Sequence, residues 1–252
     1  MFMSYITKSM VSAALLKMRT LNSEVVNLFE KHGLSFSDNL GRRNGVLSHA
    51  QEKFFAEELK KIFKDVDVDG KTGQPDIVIN DINKELECKL TSGNGKYSNF
   101  SLQTDYTTLT KKGSLDHLYV LANASFDNFA VLHFEGLTTE DFFFPAPGSK
   151  GKSRMKKHVA MNKCHVLWGE AKVKNEVEIN KIENQITSLN EERKEKLSQL
   201  IDKHKLYKKE VDRYNKKLKK LNDRKNYWVK LDNAYSFILK PVNNETEVTQ
   251  AS

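Results

Sequence analysis

The chain has 252 residues, 38% of them hydrophobic and 29% charged, and a formal net charge of +8. That is enough for one large domain or two small ones around a real core. It has no apolar run near the ~18 residues of a membrane span. Its two cysteines, Cys88 and Cys164, give neither a disulfide framework nor a zinc-ligand pair.

The charge is unevenly spread. Between Lys172 and Lys230 stand 18 Lys+Arg and 10 Asp+Glu, while the rest of the chain is balanced at 23 of each. The whole excess lies in that one segment, which favours a polyanionic partner.

In chain order, residues 1–40 read as helix, loosely ended by turns at Gly33 and Gly41. Its "MVSAALL" stretch is too short for an export signal and continues as an amphipathic pattern through Leu15, Met18, Leu21 and Val25. With no export signal and no disulfides, we expect a reducing cytoplasm. "GRRNG" reads as a Gly-bounded turn. "SHAQEKFFAEELKKIF" then forms a helix capped by Ser48, with Gln51 three residues on and Phe54, Phe55, Leu59, Ile62 and Phe63 as its buried stripe.

After the turn-rich "DVDVDGKTGQP", "DIVIN" and "KELECKL" read as two strands, followed by a Gly/Ser/Asn loop over Thr91–Ser98. Gln103 and Tyr106 fall on an expected helix. "HLYVLAN" and "FAVLHFEGL" are two further strands, "FFFPAPGSKGKSRMKKH" a basic loop, and "HVLWGE" a short strand or turn. The spacing predicts an α/β core over residues 1–169, a mixed β-sheet flanked by helices.

From Glu170 to Lys240 there is neither Gly nor Pro. Ile179, Ile182, Ile186 and Leu189, then Leu197, Leu200, Tyr207, Val211, Tyr214, Leu218 and Leu221, recur at coiled-coil spacing with a slip in phase between Leu189 and Leu197. The slip is either a break within one long helix or a turn between two antiparallel ones. Ser188-x-x-Glu191, a capping-box pattern, favours the hairpin. Residues 170–241 thus form a basic helical arm or antiparallel coiled-coil subdomain, with "AYSFILK" returning toward the core. Residues 242–252 read as a disordered tail.

The chemistry concentrates in residues 73–96. Side chains alternate along a strand, so Glu85, Glu87 and Lys89 share one face and Leu86, Cys88 and Leu90 the other. A two-residue hairpin with Asp81 and Ile82 at its tip pairs Asn80 with Asn83. In that register Asp76 faces Glu87, with roughly 4.5–5.5 Å between Cβ atoms. A three-residue loop would shift the register by one. Two opposed carboxylates repel unless a cation lies between them, and an all-oxygen donor set suits Mg²⁺. The plain alternative is a solvated hairpin with a polar outer face.

Pro75-Asp76, ten intervening residues and Glu87-Cys88-Lys89 together resemble the PD-(D/E)XK nuclease signature of type II restriction endonucleases. The resemblance covers roughly Ser48 to Ala122 and implies a restriction-endonuclease-like core. It also implies Mg²⁺ held by Asp76, Glu87 and the Cys88 backbone carbonyl, with Lys89 handling the nucleophilic water. Glu52, on the preceding helix, is a weaker transfer as a further catalytic acid.

Around this site Arg42, Arg43, Lys96 and Gln103 are candidates for DNA contact, as are Lys150, Lys152, Arg154, Lys156 and Lys157 of the basic loop. The resemblance implies a Mg²⁺-dependent, site-specific endonuclease of double-stranded DNA in a bacterial cytoplasm. It would act as a homodimer or as a monomer cutting twice in sequence, beside a cognate DNA methyltransferase. Two other readings stand against it: a structure-selective repair or phage nuclease, and a non-catalytic coiled-coil nucleic-acid-binding protein.

Overall fold

A computed structural model describes residues 4–68, 74–93, 100–149, 151–200, 203–230 and 235–242. It is a mixed α/β protein of two compact units, Met1–Ala171 with Ser236–Ser252, and Lys172–Tyr235.

The first unit opens with α1 (Lys8–Lys31), whose Thr7 accepts from the Met10 N–H. The helix stops at Gly33, in the left-handed region at φ 68°, where the Leu34 N–H closes back on the Phe29 carbonyl. The second helix, α2 (Leu40–Leu59), starts well before the expected Ser48 cap, because Asn39 accepts from the Arg42 N–H at 3.0 Å. "GRRNG" is therefore helix rather than turn, and the Ser48 hydroxyl merely donates to the Gly45 carbonyl.

The strands β1 (Val66–Asp67), β2 (Ile77–Ile79) and β3 (Lys84–Gly93) follow. The tip between β2 and β3 is a 3₁₀ turn over Asn80–Ile82, with Asn83 left-handed and its N–H returning to the Asn80 carbonyl. Asp81 holds this corner by accepting from the Lys64 and Asp65 N–H groups. The register is the expected one: Ile77 pairs with Leu86, Val78 with Glu85 and Ile79 with Lys84.

Next come β4 (Gln103–Asp105) and α3 (Tyr106–Lys112), then the long β5 (Leu115–Asn123) and β6 (Asn128–Leu137). β7 (Lys152–Arg154), α4 (Lys157–Asn162), β8 (His165–Trp168) and β9 (Glu170–Val173) complete the outward run. The main sheet runs β1-β2-β3-β5-β6, with β3 and β5 parallel and the other pairs antiparallel. The outer edge of β6 takes β8 and, from the returning chain, β11 (Lys240–Pro241). β10 (Tyr235–Ile238) pairs with β9.

One sheet face packs on α1 and α2 through Leu15, Met18, Leu47, Phe55, Leu86, Cys88, Leu118 and Val120. Against the other lies a small ribbon of β4 and β7, in which Gln103 pairs with Arg154 and Asp105 with Lys152. The Tyr119 hydroxyl donates to the Gln103 carbonyl at 3.0 Å, and Thr104 bonds the His117 ring at 2.9 Å. Gln103 is thus on a strand, not a helix, and the expected basic loop contains a strand and the start of α4.

The second unit is a helical hairpin of α5 (Lys174–Ser198) and α6 (His204–Lys230). The chain turns at Gln199 and Leu200, so Ser188 lies inside α5 rather than at the start of a helix. Among the described residues Ile182 and Tyr214 are buried in its seam, and the Tyr214 hydroxyl donates to Glu192 at 2.8 Å. The expected tail lies outside the described residues, except Val242, which is buried. No helix among the described residues is long and apolar enough to cross a membrane.

Candidate active site

The site forms where the bend before β2 meets the middle of β3. Pro75 is buried and Asp76 sits one residue ahead of the strand. Its Oδ2 accepts from the Cys88 N–H at 2.7 Å. Alternation along β3 sends the Cys88 side chain into the α1/α2 core and turns Glu87 and Lys89 to the other face.

Glu87 is 6% exposed, and its Oε1 pairs with the Lys89 ammonium. Its Oε2 is buried with no hydrogen-bond partner among the described residues. An uncompensated carboxylate oxygen in the interior is costly and calls for a cation or a donor.

The electrostatics follow from this crowding. Burial pushes the Glu87 carboxyl above its usual range; Lys89 opposes the shift and Asp76 adds to it. Asp76 is also raised, by burial and by the Glu52 charge, against the pull of Lys89 and the Cys88 N–H. For Lys89, burial works to lower the ammonium, but Glu87 and Asp76 outweigh it and hold its pKa above the ordinary lysine value. Burial raises Glu52, while its neighbour His49, 3.6 Å away, and Lys89 act the other way.

These residues fit a hard divalent cation, with all-oxygen donors, a buried orphan oxygen and two mutually repelling carboxylates. Among the described residues no three His, Cys, Asp or Glu side chains gather closely enough to hold a metal. The candidate side-chain ligands are therefore the two carboxylates Asp76 and Glu87. Glu52 is near enough for its charge to be felt but stands outside that pair.

Beside Lys89 a cleft of about 320 Å³ opens, lined by Lys89, Gln103, Asp105, Tyr119 and Lys152 among others. Lys152 enters it because β7 pairs with β4. Asp105 caps α3 by accepting from the Thr108 N–H at 2.9 Å, and its charge adds to the raising of Glu87. Sequence reasoning missed Asp105 and Tyr119. The Asp-Tyr-Thr-Thr capping pattern at 105–108 was the available signal for the start of α3.

The other candidates divide. Arg42 and Arg154 are exposed. Arg43 is fully buried: its guanidinium donates to the carbonyls of Ala124 and Asn123 and lies 5.1 Å from the Phe126 ring. That guanidinium ties α2 to the β5–β6 turn and does not face solvent, contrary to its expected place on a phosphate-gripping turn. Lys156 is half-buried, with its ammonium on the Glu140 carbonyl. Lys157 opens α4. Lys96 and Lys150 lie outside the described residues.

Gln51, expected only as part of a cap, is buried beneath the site. Its Nε2 donates to the Leu118 carbonyl at 3.2 Å and approaches the Lys89 carbonyl at 3.5 Å.

No protein-family model matches the chain, and no match is found among curated proteins or solved structures.

Proposed function

We propose that this chain is a Mg²⁺-dependent endonuclease of the PD-(D/E)XK type, cutting double-stranded DNA at a short specific site in the manner of a type II restriction enzyme. One observation carries the reading: Asp76 and the Glu87-Cys88-Lys89 triplet meet, and a buried Glu87 oxygen there lacks a partner among the described residues. The order α2, β2, β3, α3, β5, with β3 and β5 parallel, supports a restriction-endonuclease-like core.

In this reading Asp76, Glu87 and the Cys88 carbonyl would hold Mg²⁺, which supplies an activated water and neutralises charge on the scissile phosphate. The chain's own groups do the rest. The Cys88 N–H fixes the rotamer of Asp76. Lys89, held protonated by its acidic neighbours, donates to a phosphate oxygen and stabilises the charge that builds as water attacks. Withdrawal of Glu87 from that ion pair would free the ammonium to donate to the phosphate and so orient it toward the attacking water. Lys152 across the cleft and Arg42 at the start of α2 hold flanking phosphates.

A cytoplasmic setting, a dimer or two successive strand cuts, and a protecting methyltransferase belong to the same reading. The test incubates wild type and Lys89→Ala with unmethylated phage DNA, in Mg²⁺ and in EDTA. Discrete fragments from wild type in Mg²⁺ alone are expected. A smear with the same dependence would keep the active site and remove sequence specificity. No cleavage under any condition would sink the nuclease reading.

A further inference from the structure

Next to the cleft the protein displays an aromatic surface that the chemistry above does not use. Phe143 is 54% and Phe144 83% exposed, among the large apolar side chains most open to solvent. Burying such rings is worth a few kcal/mol, so leaving two adjacent ones in water asks for an explanation.

The display is fixed rather than frayed. The Phe143 N–H donates to the Arg154 carbonyl at 2.9 Å, and the Ser153 hydroxyl donates to the Phe143 carbonyl. Pro145 and Pro147 restrict the backbone beyond, and the Ser149 N–H closes a turn on Ala146 at 3.0 Å. The Phe144 ring stands edge-on to Tyr106, with centroids 5.7 Å apart. Tyr106 directly follows Asp105, a cleft residue, and its N–H donates to the Gly151 carbonyl at 2.9 Å. The exposed side chains of Lys152 and Arg154 rise from the strand that anchors the pair.

A rigid aromatic platform with cations at its side, adjoining a lysine-lined cleft, has the make-up of a surface that stacks on nucleobases while the cations hold the phosphates. Lysine is depleted at interfaces between proteins, so the exposed Lys152 beside the rings suits a phosphate better than a second protein. We propose that Phe144, braced by Tyr106, stacks on a base of the DNA substrate, wedging into a base step or receiving an unstacked base beside the cut. The proposal rests on the nuclease reading for the identity of the polyanion.

The experiment measures binding of a short random-sequence duplex by fluorescence anisotropy over a range of salt. It is run in a Lys89→Ala background with Mg²⁺, so that the DNA survives. Stacking carries no counterion release, whereas each phosphate contact does. Phe144→Ala is therefore expected to weaken binding about ten-fold with an unchanged salt slope. Phe144→Trp restores affinity, and Lys152→Ala lowers the slope. Because Phe144 faces solvent, the Ala variant keeps its melting temperature.

Equal affinity of Phe144→Ala and its parent would overturn the stacking role. So would a weakened variant whose salt slope also falls. A change of sedimentation coefficient in Phe144→Ala with unaltered affinity would instead make the pair a subunit contact. Cleavage by the otherwise wild-type protein is scored separately. Phe144-dependent binding without any Mg²⁺-dependent cleavage would keep the stacking surface while removing the nuclease assignment.

Discussion

The Asp76 carboxylate accepts a 2.7 Å hydrogen bond from the main-chain N–H of Cys88, which lies between Glu87 and Lys89. One bond thereby joins the two halves of the motif across the β2–β3 hairpin. It is made to backbone, so a change of side chain at position 88 leaves the donor in place, and the Cys88 side chain is left to the core. Cys88→Ala should cost stability through poorer packing, about 1 kcal/mol, with cleavage retained; urea denaturation and fragment yield read the two effects apart.

Asp76→Asn and Glu87→Gln should each lower cleavage by roughly 10²–10³-fold or more. Neither should destabilise the metal-free protein much, because both carboxylates are largely buried, repel one another and leave the Glu87 Oε2 without a partner among the described residues. Thermal melting in EDTA is expected to place these variants at or above wild type. A marked loss of stability would make the carboxylates structural.

Mg²⁺ titration provides the complementary measurement. A cation that binds only the folded chain stabilises it by about 2.7 kcal/mol at a hundred-fold excess over Kd. Wild type should show that rise in melting temperature, and Glu87→Gln should not.

Arg42 and Arg43 are neighbours with opposite expected behaviour. Arg43→Ala removes buried hydrogen bonds to Ala124 and Asn123 and takes the donors away from their carbonyls, a loss of about 1–3 kcal/mol in stability or more. Arg42→Ala should leave the unfolding curve unchanged and weaken DNA affinity.

The basic face of α6 is tested by neutralising Lys216, Lys217, Lys219 and Lys220 together. All four are exposed, and Lys217 lies 5.5 Å from the Tyr214 ring. If they track a phosphate backbone, the slope of log affinity against log salt should fall by about 0.9 for each phosphate no longer neutralised. An unchanged slope would leave the hairpin with another task.

His133 gives a pH dependence. Its ring is held by Ser4 at 2.8 Å and faces Tyr5, Lys84 from β3, Asp116 from β5, Glu135 from β6 and His165 from β8. Burial outweighs the two acids and brings its pKa down to about 4. A base depressed in the folded state takes up its proton first when unfolded. The stabilising effect of the neutral ring is therefore complete above the unfolded value, near 6.5, and is lost as pH falls toward 4. The slope is up to about 1.4 kcal/mol per pH unit. Urea midpoints between those pH values should show it, and His133→Gln should remove that contribution.

The hairpin and the groups it carries were legible in the order of residues alone. Alternation from Glu85 to Leu90 separates a core face from a polar one, a local property of a few consecutive side chains; the expected register holds, although the tip is a 3₁₀ turn over Asn80–Ile82 with a left-handed Asn83 rather than two residues. The apolar strands β5 and β6 and the helix-rich 170–240 segment could be read for the same reason. That Gln103 and Lys152–Arg154 are strands emerges only from the folded chain. Neither short segment has an apolar pattern of its own, and each is extended because the other completes its hydrogen bonds. The same holds for Arg43, an ordinary surface residue by composition. The carbonyls of Asn123 and Ala124, eighty residues away, are what make its burial possible. The cleft wall facing Lys89 is built from such long-range pairings, which no local pattern encodes.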